Sequence, residues 1–189
     1  MDLNKQASLR TQKLILCALF IALTAIGAFI KIPTPIAPFS FQVLFVIMAG
    51  IILGPKWGFA SQAAYIIIGL IGIPIFTMGG GPSYIFQPTF GFLLGFALAA
   101  FVIGKIVEKT KPLSFKKLAL ASTFGLACIY AIGLPYLYLI VNIYMGKEMS
   151  LSAVLWGACI IFLPGDIIKI LLASFLSLKI IKALKNYEI

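Results

Sequence analysis

Long apolar runs, separated by short stretches rich in Gly, Pro and charged residues, make up most of this chain. A helix needs roughly 20 mainly apolar residues to cross a hydrocarbon core. The pattern predicts six membrane-spanning helices, at Leu14–Ile30, Phe41–Leu53, Gly58–Ile73, Thr89–Val107, Leu118–Val141 and Leu151–Leu178. The second run is short for a simple crossing, so we expect it to extend into its loops or to be partly re-entrant.

The overall composition agrees with this pattern. Hydrophobic residues make up 62% of the chain and charged residues 11%, whereas soluble domains contain roughly 45–50% apolar residues. The sequence therefore predicts an integral membrane protein of the all-α class. Six spans with short connections use up the 189 residues, so residues 1–189 are predicted to form a single membrane domain.

The distribution of basic residues predicts the orientation. If both termini lie in the cytoplasm, only Lys31 and Lys147 fall in outer loops, whereas twelve basic residues fall on the inner side. Those twelve are Lys5, Arg10, Lys13, Lys56, Lys105, Lys109, Lys111, Lys116, Lys117, Lys179, Lys182 and Lys185. This bias predicts a multi-pass protein of the cytoplasmic membrane with both termini inside. A basic rim beside anionic lipid also explains the net charge of +10, so nucleic acid is not expected as a partner.

Two charged residues interrupt the last apolar run. Asp166 and Lys169 are the only charges between Glu148 and Lys179, and their i, i+3 spacing places them on one helix face. A charge near the bilayer centre costs about 2.5–3.5 kcal/mol, so such residues usually face a cavity and serve function. The pair is predicted to anchor a ligand; the alternative is a neutralised pair that only fixes helix packing. The preceding Pro164-Gly165 is expected to kink the helix just before Asp166.

The residues that most enzymes need are missing from the predicted spans. The chain has no His, and its three cysteines lie far apart without a C-x-x-C spacing, so no metal site or disulfide is expected. Asp166 is the only acid in any predicted span, whereas an aspartyl protease needs two carboxylates. The sequence therefore predicts a protein that is not an enzyme and that carries no cofactor.

The segment from Ile68 to Phe96 joins the third and fourth predicted spans through an uncharged loop. Its glycines and prolines forbid a continuous helix, yet its side chains are too apolar for an ordinary solvated loop. Irregular backbone at membrane depth is tolerated where it is buried or lines a cavity, which predicts a lid over a pocket. Tyr84, Phe86 and Gln87 are candidate ligand contacts. The alternative is that the two aromatic residues anchor the loop at the membrane interface.

Small residues recur at a spacing of four in several predicted spans. This spacing allows helices to approach each other closely, and most such pairs serve internal packing. The pairs are Ala18 and Ala22, Gly50 and Gly54, and Gly91 and Gly95. The first pair, together with Ala25, forms a flat alanine face on an outer helix and is a candidate docking surface for another membrane subunit.

Four segments in order resemble the BioY family, the biotin-specific S components of energy-coupling factor (ECF) transporters. They are LGPKWG at Leu53–Gly58, YIIIGLIGIPIF at Tyr65–Phe76, PTFGFLLGF at Pro88–Phe96 and LPGDIIK at Leu163–Lys169. The resemblance covers nearly the whole chain. It implies six helices and an outward-facing biotin pocket covered by the loop before the fourth helix. One departure is that the usual Gly-Pro-Thr-Gly-Gly-Tyr is here Gln87-Pro88-Thr89-Phe90-Gly91-Phe92.

The resemblance also implies roles for individual residues. Asp166 would accept hydrogen bonds from the ureido ring of biotin, and Lys169 would lie near that ring or near the valerate carboxylate. The complete predicted ligand-contacting set is Asp166, Lys169, Tyr84, Phe86, Gln87 and Phe90. Because the departure from the family pattern falls where the ligand should lie, a related vitamin such as lipoate stays open; charge chemistry alone would also permit thiamine or an amino acid.

The same resemblance implies partner subunits. The chain has no G-x-x-x-x-G-K-[ST] motif for ATP, so energy is expected to come from a transmembrane coupling subunit with two ATPases. Ala18 and Ala22 would belong to the face that docks the coupling subunit. An unassisted facilitator is the competing hypothesis, and an ion channel is a third, although neither a filter motif nor rings of charge are evident.

Overall fold

The computed structural model describes residues 3–34 and 36–186, which form helices connected by loops and one short hairpin. The helices are α1 (Leu3–Phe29), α2 (Gln42–Leu70), α3 (Phe90–Lys109), α4 (Phe115–Leu139), α5 (Leu151–Leu155) and α6 (Leu163–Asn186). Two strands, β1 (Lys31–Ile32) and β2 (Phe39–Ser40), pair antiparallel between α1 and α2. The predicted all-helical class is confirmed.

Five helical stretches in the described ranges are long and apolar enough to cross a membrane. They are Leu9–Phe29, Gln42–Leu70, Phe90–Lys109, Phe115–Tyr144 and Leu151–Ala183. The predicted count of six is not confirmed, because the second and third predicted spans belong to the single element α2.

The chain reverses direction inside α2, at Gly54. This residue has a φ of 79°, a left-handed conformation that glycine adopts easily, and Pro55 follows it. The side-chain amide of Gln42 lies 2.8 Å from the hydroxyl of Tyr65, although 23 residues of straight helix would span roughly 34 Å. A Cβ atom on Gly58 would likewise lie only 3.2 Å from the Cα of Gly50. The two halves of α2 therefore run antiparallel as a tight helical hairpin.

The core of the bundle lies where α2, α3 and α4 pack together. Its fully buried side chains include Ile47 from α2, Ile103 from α3 and Leu118 from α4. Opposite faces of α1 have different surroundings: Phe20 and Thr24 are buried against the bundle, whereas Leu19 and Ile26 are exposed. Burial along one face only is expected for a helix at the edge of a bundle.

The last predicted span is interrupted rather than continuous. A π-helical turn at Trp156–Ile160 follows α5, a short turn occupies 161–162, and α6 begins at Leu163. A new helix therefore begins where a kink was expected. Pro164 is the second residue of α6, and proline is tolerated in the first turn of a helix. Asp166 consequently lies in the first turn of α6, where the helix dipole favours a negative charge.

Candidate ligand-binding site

Asp166 and Lys169 form a buried ion pair on α6. The Nζ atom of Lys169 lies 2.9 Å from Oδ1 of Asp166, and each residue is only 3% exposed. Breaking a buried pair by removing one partner typically costs 3–5 kcal/mol, because the remaining charge is left uncompensated. The two side chains therefore depend on each other and form one strongly polar unit on α6.

Two aromatic residues from other elements hold this pair in place. The hydroxyl of Tyr130, on α4, donates a hydrogen bond to Oδ2 of Asp166. The ring of Phe39, on β2, lies under the ammonium group of Lys169, with 3.4 Å between Nζ and the ring centroid. This cation–π contact stabilises the ammonium group away from water. The orientation of the pair is thus fixed from α4 and from the hairpin as well as from α6.

A cavity with about 570 Å³ of empty space, counting the part that opens to solvent, lies against the pair. Its wall combines aromatic and aliphatic side chains with a few polar groups from five parts of the chain. The lining residues are Ala37, Pro38, Phe39, Ser40, Gln42, Val43, Thr77, Tyr84, Thr89, Phe92, Leu93, Phe96, Leu126, Ile129, Tyr130, Phe162, Asp166 and Lys169.

Hydrogen bonds connect the loop between α2 and α3 to the wall of this cavity. The hydroxyl of Tyr84, in the short 3₁₀ helix Pro82–Phe86, lies 3.2 Å from the hydroxyl of Thr77 and 3.1 Å from that of Thr89. The ammonium group of Lys31 donates to the carbonyl of Thr77. Phe76 is buried between Tyr65 and Tyr84, with ring centroids 5.4 and 4.5 Å away. The loop is thereby packed onto the bundle.

Tyr65 joins this loop to both halves of the α2 hairpin. Its hydroxyl accepts a hydrogen bond from the amide of Gln42 at 2.8 Å and donates one to the carbonyl of Ile75 at 2.7 Å. We expect Tyr65→Phe to lower the free energy of unfolding by about 1–3 kcal/mol, because the buried amide of Gln42 and the half-buried carbonyl of Ile75 each lose a partner. Chemical unfolding in detergent would measure this loss, and hydrogen exchange would show faster exchange in the loop at 71–82.

Tyr138→Phe is the matched control for this substitution. Tyr138 is 37% exposed, and its hydroxyl makes no hydrogen bond with any residue in the described ranges. The control should leave stability and loop exchange unchanged. Equal stability of the two variants would refute the linking role of the Tyr65 hydroxyl.

The residues predicted as ligand contacts fall into two groups. Asp166, Lys169 and Tyr84 lie together on the wall of the main cavity. Gln87 lines a second cavity, beside the chain that follows α4. Phe86 is 47% exposed and stacks on Tyr144, with ring centroids 4.9 Å apart.

Phe90, the remaining predicted contact, is buried at the start of α3. Its ring packs against Tyr136, with centroids 5.9 Å apart, and it is not among the residues that line the main cavity. The structure thus brings together three of the six predicted contacts and places the other three around them.

Ala18 and Ala22 lie on the outward face of α1. Both are exposed, and so are Ile15, Leu19 and Ile26 on the same helix. No other described element of the chain covers this face, so it is available either to lipid or to a membrane partner.

Several residues on the cavity wall were not predicted from the sequence. Gln42 and Tyr130 are polar residues within apolar runs, a signal of the same kind as Asp166 but weaker because neither is charged. The sequence did not indicate a role for Phe39, because aromatic residues in loops are also common outside binding sites. Only the packing of the hairpin against α6 brings its ring to Lys169.

The cavity can bind a small molecule that is mostly apolar and has one strongly polar end. The carboxylate of Asp166 has acceptor capacity beyond its two present hydrogen bonds, and Lys169 has three N–H donors of which one is used. The aromatic rings provide apolar contact area around them. Within the described residues, no group of three or more His, Cys, Asp or Glu side chains could hold a metal ion.

Comparisons with known proteins find close similarity along the chain. The sequence model of the BioY family matches residues 3–186. A probable biotin transporter BioY of Lysinibacillus sphaericus is 43% identical over 176 residues, which cover 93% of this chain and 90% of that protein. A biotin transporter BioY of Thermotoga maritima is 35% identical over 172 residues, which cover 90% of this chain and 96% of that protein.

A solved structure shows the same architecture. It is described as the crystal structure at 2.1 Å of the S-component for biotin from an ECF-type ABC transporter. The TM-score is 0.83 at 27% identity, and the match covers 96% of this chain and 95% of the solved one.

Proposed function

The chain belongs to the BioY family, and we propose that it binds biotin on the outer side of the cytoplasmic membrane and takes it up as the S component of an ECF transporter. The observation that supports this most directly is the buried Asp166–Lys169 pair on the wall of an otherwise mainly apolar cavity. The similarity to a biotin S-component structure over 96% of the chain supports the same function.

The chemistry of biotin fits the two parts of the cavity. Its ureido group has two N–H donors and a carbonyl acceptor, and its fused sulfur ring is apolar. We propose that Asp166 accepts from a ureido N–H while Lys169, which has unused N–H donors, donates to the ureido carbonyl. Phe39, Phe92 and the other aromatic side chains of the wall would contact the faces of the ring.

The loop between α2 and α3 is proposed to act as the lid of the pocket. Thr77, Tyr84 and Thr89 all line the main cavity, and the hydroxyl of Tyr84 hydrogen-bonds to both threonine hydroxyls. We also propose that each half of the α2 hairpin crosses the membrane as a separate short helix. The bundle would then have six crossings and both termini in the cytoplasm, as the positive-inside bias predicts.

Transport is proposed to depend on partner subunits. The chain has no nucleotide-binding motif, so a transmembrane coupling subunit and two ATPases would supply the energy. The coupling subunit is proposed to dock on the exposed alanine face of α1, where small side chains allow close helix contact.

Uptake of labelled biotin by a biotin-auxotrophic host tests this function. Cells that express the chain together with an ECF coupling module should take up biotin, and cells that express it alone should take up much less. Excess lipoate should not compete. Equal uptake without the module would favour an unassisted facilitator, and competition by lipoate would reassign the ligand.

We expect Ala22→Trp to reduce biotin uptake about tenfold without changing the affinity of the purified chain for biotin. The large side chain would keep the coupling subunit from approaching α1 closely, whereas no residue of α1 is among those that line the main cavity. Uptake by cells and equilibrium binding in detergent would be measured on the same variant.

Leu120→Trp is the control for this substitution, since Leu120 is 59% exposed on α4 and lies outside the alanine face. It adds the same bulk to the membrane-facing surface and should leave uptake intact. Similar uptake by both tryptophan variants would rule out the alanine face as the docking surface.

A further inference from the structure

A second cavity lies beside the main one, among the outer loops. It contains about 600 Å³ of empty space, including the part open to solvent. Its walls come from the segment before β2, the loop between α2 and α3, and the chain that follows α4. The lining residues are Ile36, Met78, Gln87, Pro88, Thr89, Val141, Met145, Lys147 and Met149. Lys147 is the one charged residue among them.

This outer cavity adjoins the main cavity at Thr89, which lines both. The hydroxyl of Thr89 lies 3.1 Å from that of Tyr84. A ligand with a polar ring at one end and a flexible chain at the other could therefore extend from Asp166 past Thr89 into the outer cavity. The apolar methionine side chains there suit an alkyl chain, because methionine adapts its shape easily.

Lys169 is a poor partner for a ligand carboxylate. Its ammonium group is already paired with Asp166 at 2.9 Å and covered by the ring of Phe39. A second carboxylate at this position would also be repelled by Asp166, and the repulsion between like charges is strong in a buried site. A carboxylate at the far end of the ligand needs a different cation.

Lys147 provides such a cation at the outer cavity. It is exposed, and it forms no salt bridge with any residue in the part of the chain that the structure describes. Its neighbours Gly146 and Glu148 both have positive φ, 64° and 43°, which is an unusual conformation for a glutamate. The backbone N–H of Lys147 donates to the carbonyl of Val141 at 3.0 Å, which ties this turn to the end of α4. The turn holds Lys147 at the cavity at some cost in backbone strain.

We propose that Lys147, assisted by the amide of Gln87, binds the carboxylate of the ligand in the outer cavity while the ring occupies the main cavity. This inference rests on the proposed function, with biotin as the ligand. It assigns the two ends of biotin to two cavities and makes Lys147 the residue that selects for a free carboxylate. A charge-assisted contact that keeps access to solvent strengthens binding only modestly.

Equilibrium binding of biotin and of biotinamide, its neutral primary amide, tests the inference on the purified full chain. Wild type should prefer biotin over biotinamide by about fivefold. Lys147→Gln should weaken biotin binding by about the same factor and leave biotinamide binding unchanged, so the preference disappears. Lys147→Arg should keep it. Lys31→Gln removes the other outer lysine, which contacts the lid loop and lies outside this cavity, and it should change binding of both ligands equally.

Three outcomes would overturn the inference. A preference for biotin that persists in Lys147→Gln would show that the carboxylate binds elsewhere, while leaving biotin binding itself established. If folded wild type binds neither ligand, the proposed function fails and the tail site fails with it. Equal loss of the preference in Lys31→Gln and Lys147→Gln would attribute it to general electrostatic attraction instead of a contact.

Discussion

Replacing Asp166 by asparagine is expected to lower the affinity for biotin at least 100-fold, or about 2.7 kcal/mol. The substitution removes a charge-assisted acceptor, a contact worth roughly 1.5–3 kcal/mol. It also leaves the ammonium group of Lys169, 3% exposed, without its counterion, so the polar end of the pocket should rearrange. Equilibrium titration of the purified variant with biotin measures the loss.

Two further variants separate ligand contact from structural damage. The double substitution Asp166→Asn with Lys169→Met removes both charges, so thermal stability should return towards wild type while biotin binding stays weak. Glu108→Gln neutralises an exposed carboxylate at the other end of the bundle and should change neither property. If Asp166→Asn binds biotin as wild type does, the pair has only a packing role.

Gly104→Ala is expected to destabilise the fold by about 3 kcal/mol or more. A Cβ atom on Gly104 would lie 2.4 Å from the backbone nitrogen of Pro55 and 2.5 Å from the carbonyl carbon of Gly54. Those atoms form the turn of the α2 hairpin, whose positive φ at Gly54 leaves little freedom to move. Thermal unfolding in detergent and the monodisperse fraction in size-exclusion chromatography would report the effect.

Gly157→Ala is the matched control, because the new methyl group there meets only a flexible side chain. The nearest atom, 2.3 Å away, is Cδ1 of Ile36, which can turn aside. We expect a change of less than about 1 kcal/mol. An equal loss of stability in both variants would mean that backbone contact at the α2 turn is not what makes Gly104 sensitive.

The helical bundle could be predicted from the sequence because hydropathy and helix-breaking residues mark most helix ends. The stop at Gly54-Pro55 is visible in this way, and so is the interruption near Pro164. Hydropathy could not show that the segments on either side of Gly54 form one hairpin, since that depends on close packing between Gly50, Gly58 and α3. The count of spans was therefore less predictable than the class.

The candidate site was predictable where a residue type is costly in a membrane. Asp166 and Lys169 stand out for that reason. In the structure, Nζ of Lys169 lies 2.9 Å from Oδ1 of Asp166. Aromatic residues carry no such signal, because they are common in both cores and interfaces. Phe86 and Phe39 show the difference: Phe86 stacks on an exposed tyrosine, whereas Phe39 covers the lysine of the pair.

Titration of the purified wild-type chain with biotin in detergent would show whether biotin binds in the cavity beside Asp166. Lipoate and thiamine serve as comparison ligands. We predict saturable binding of biotin with a nanomolar dissociation constant and no comparable binding of the other two. A folded, monodisperse preparation that fails to bind biotin, or that binds lipoate or thiamine more tightly, would contradict biotin binding as the function of this chain.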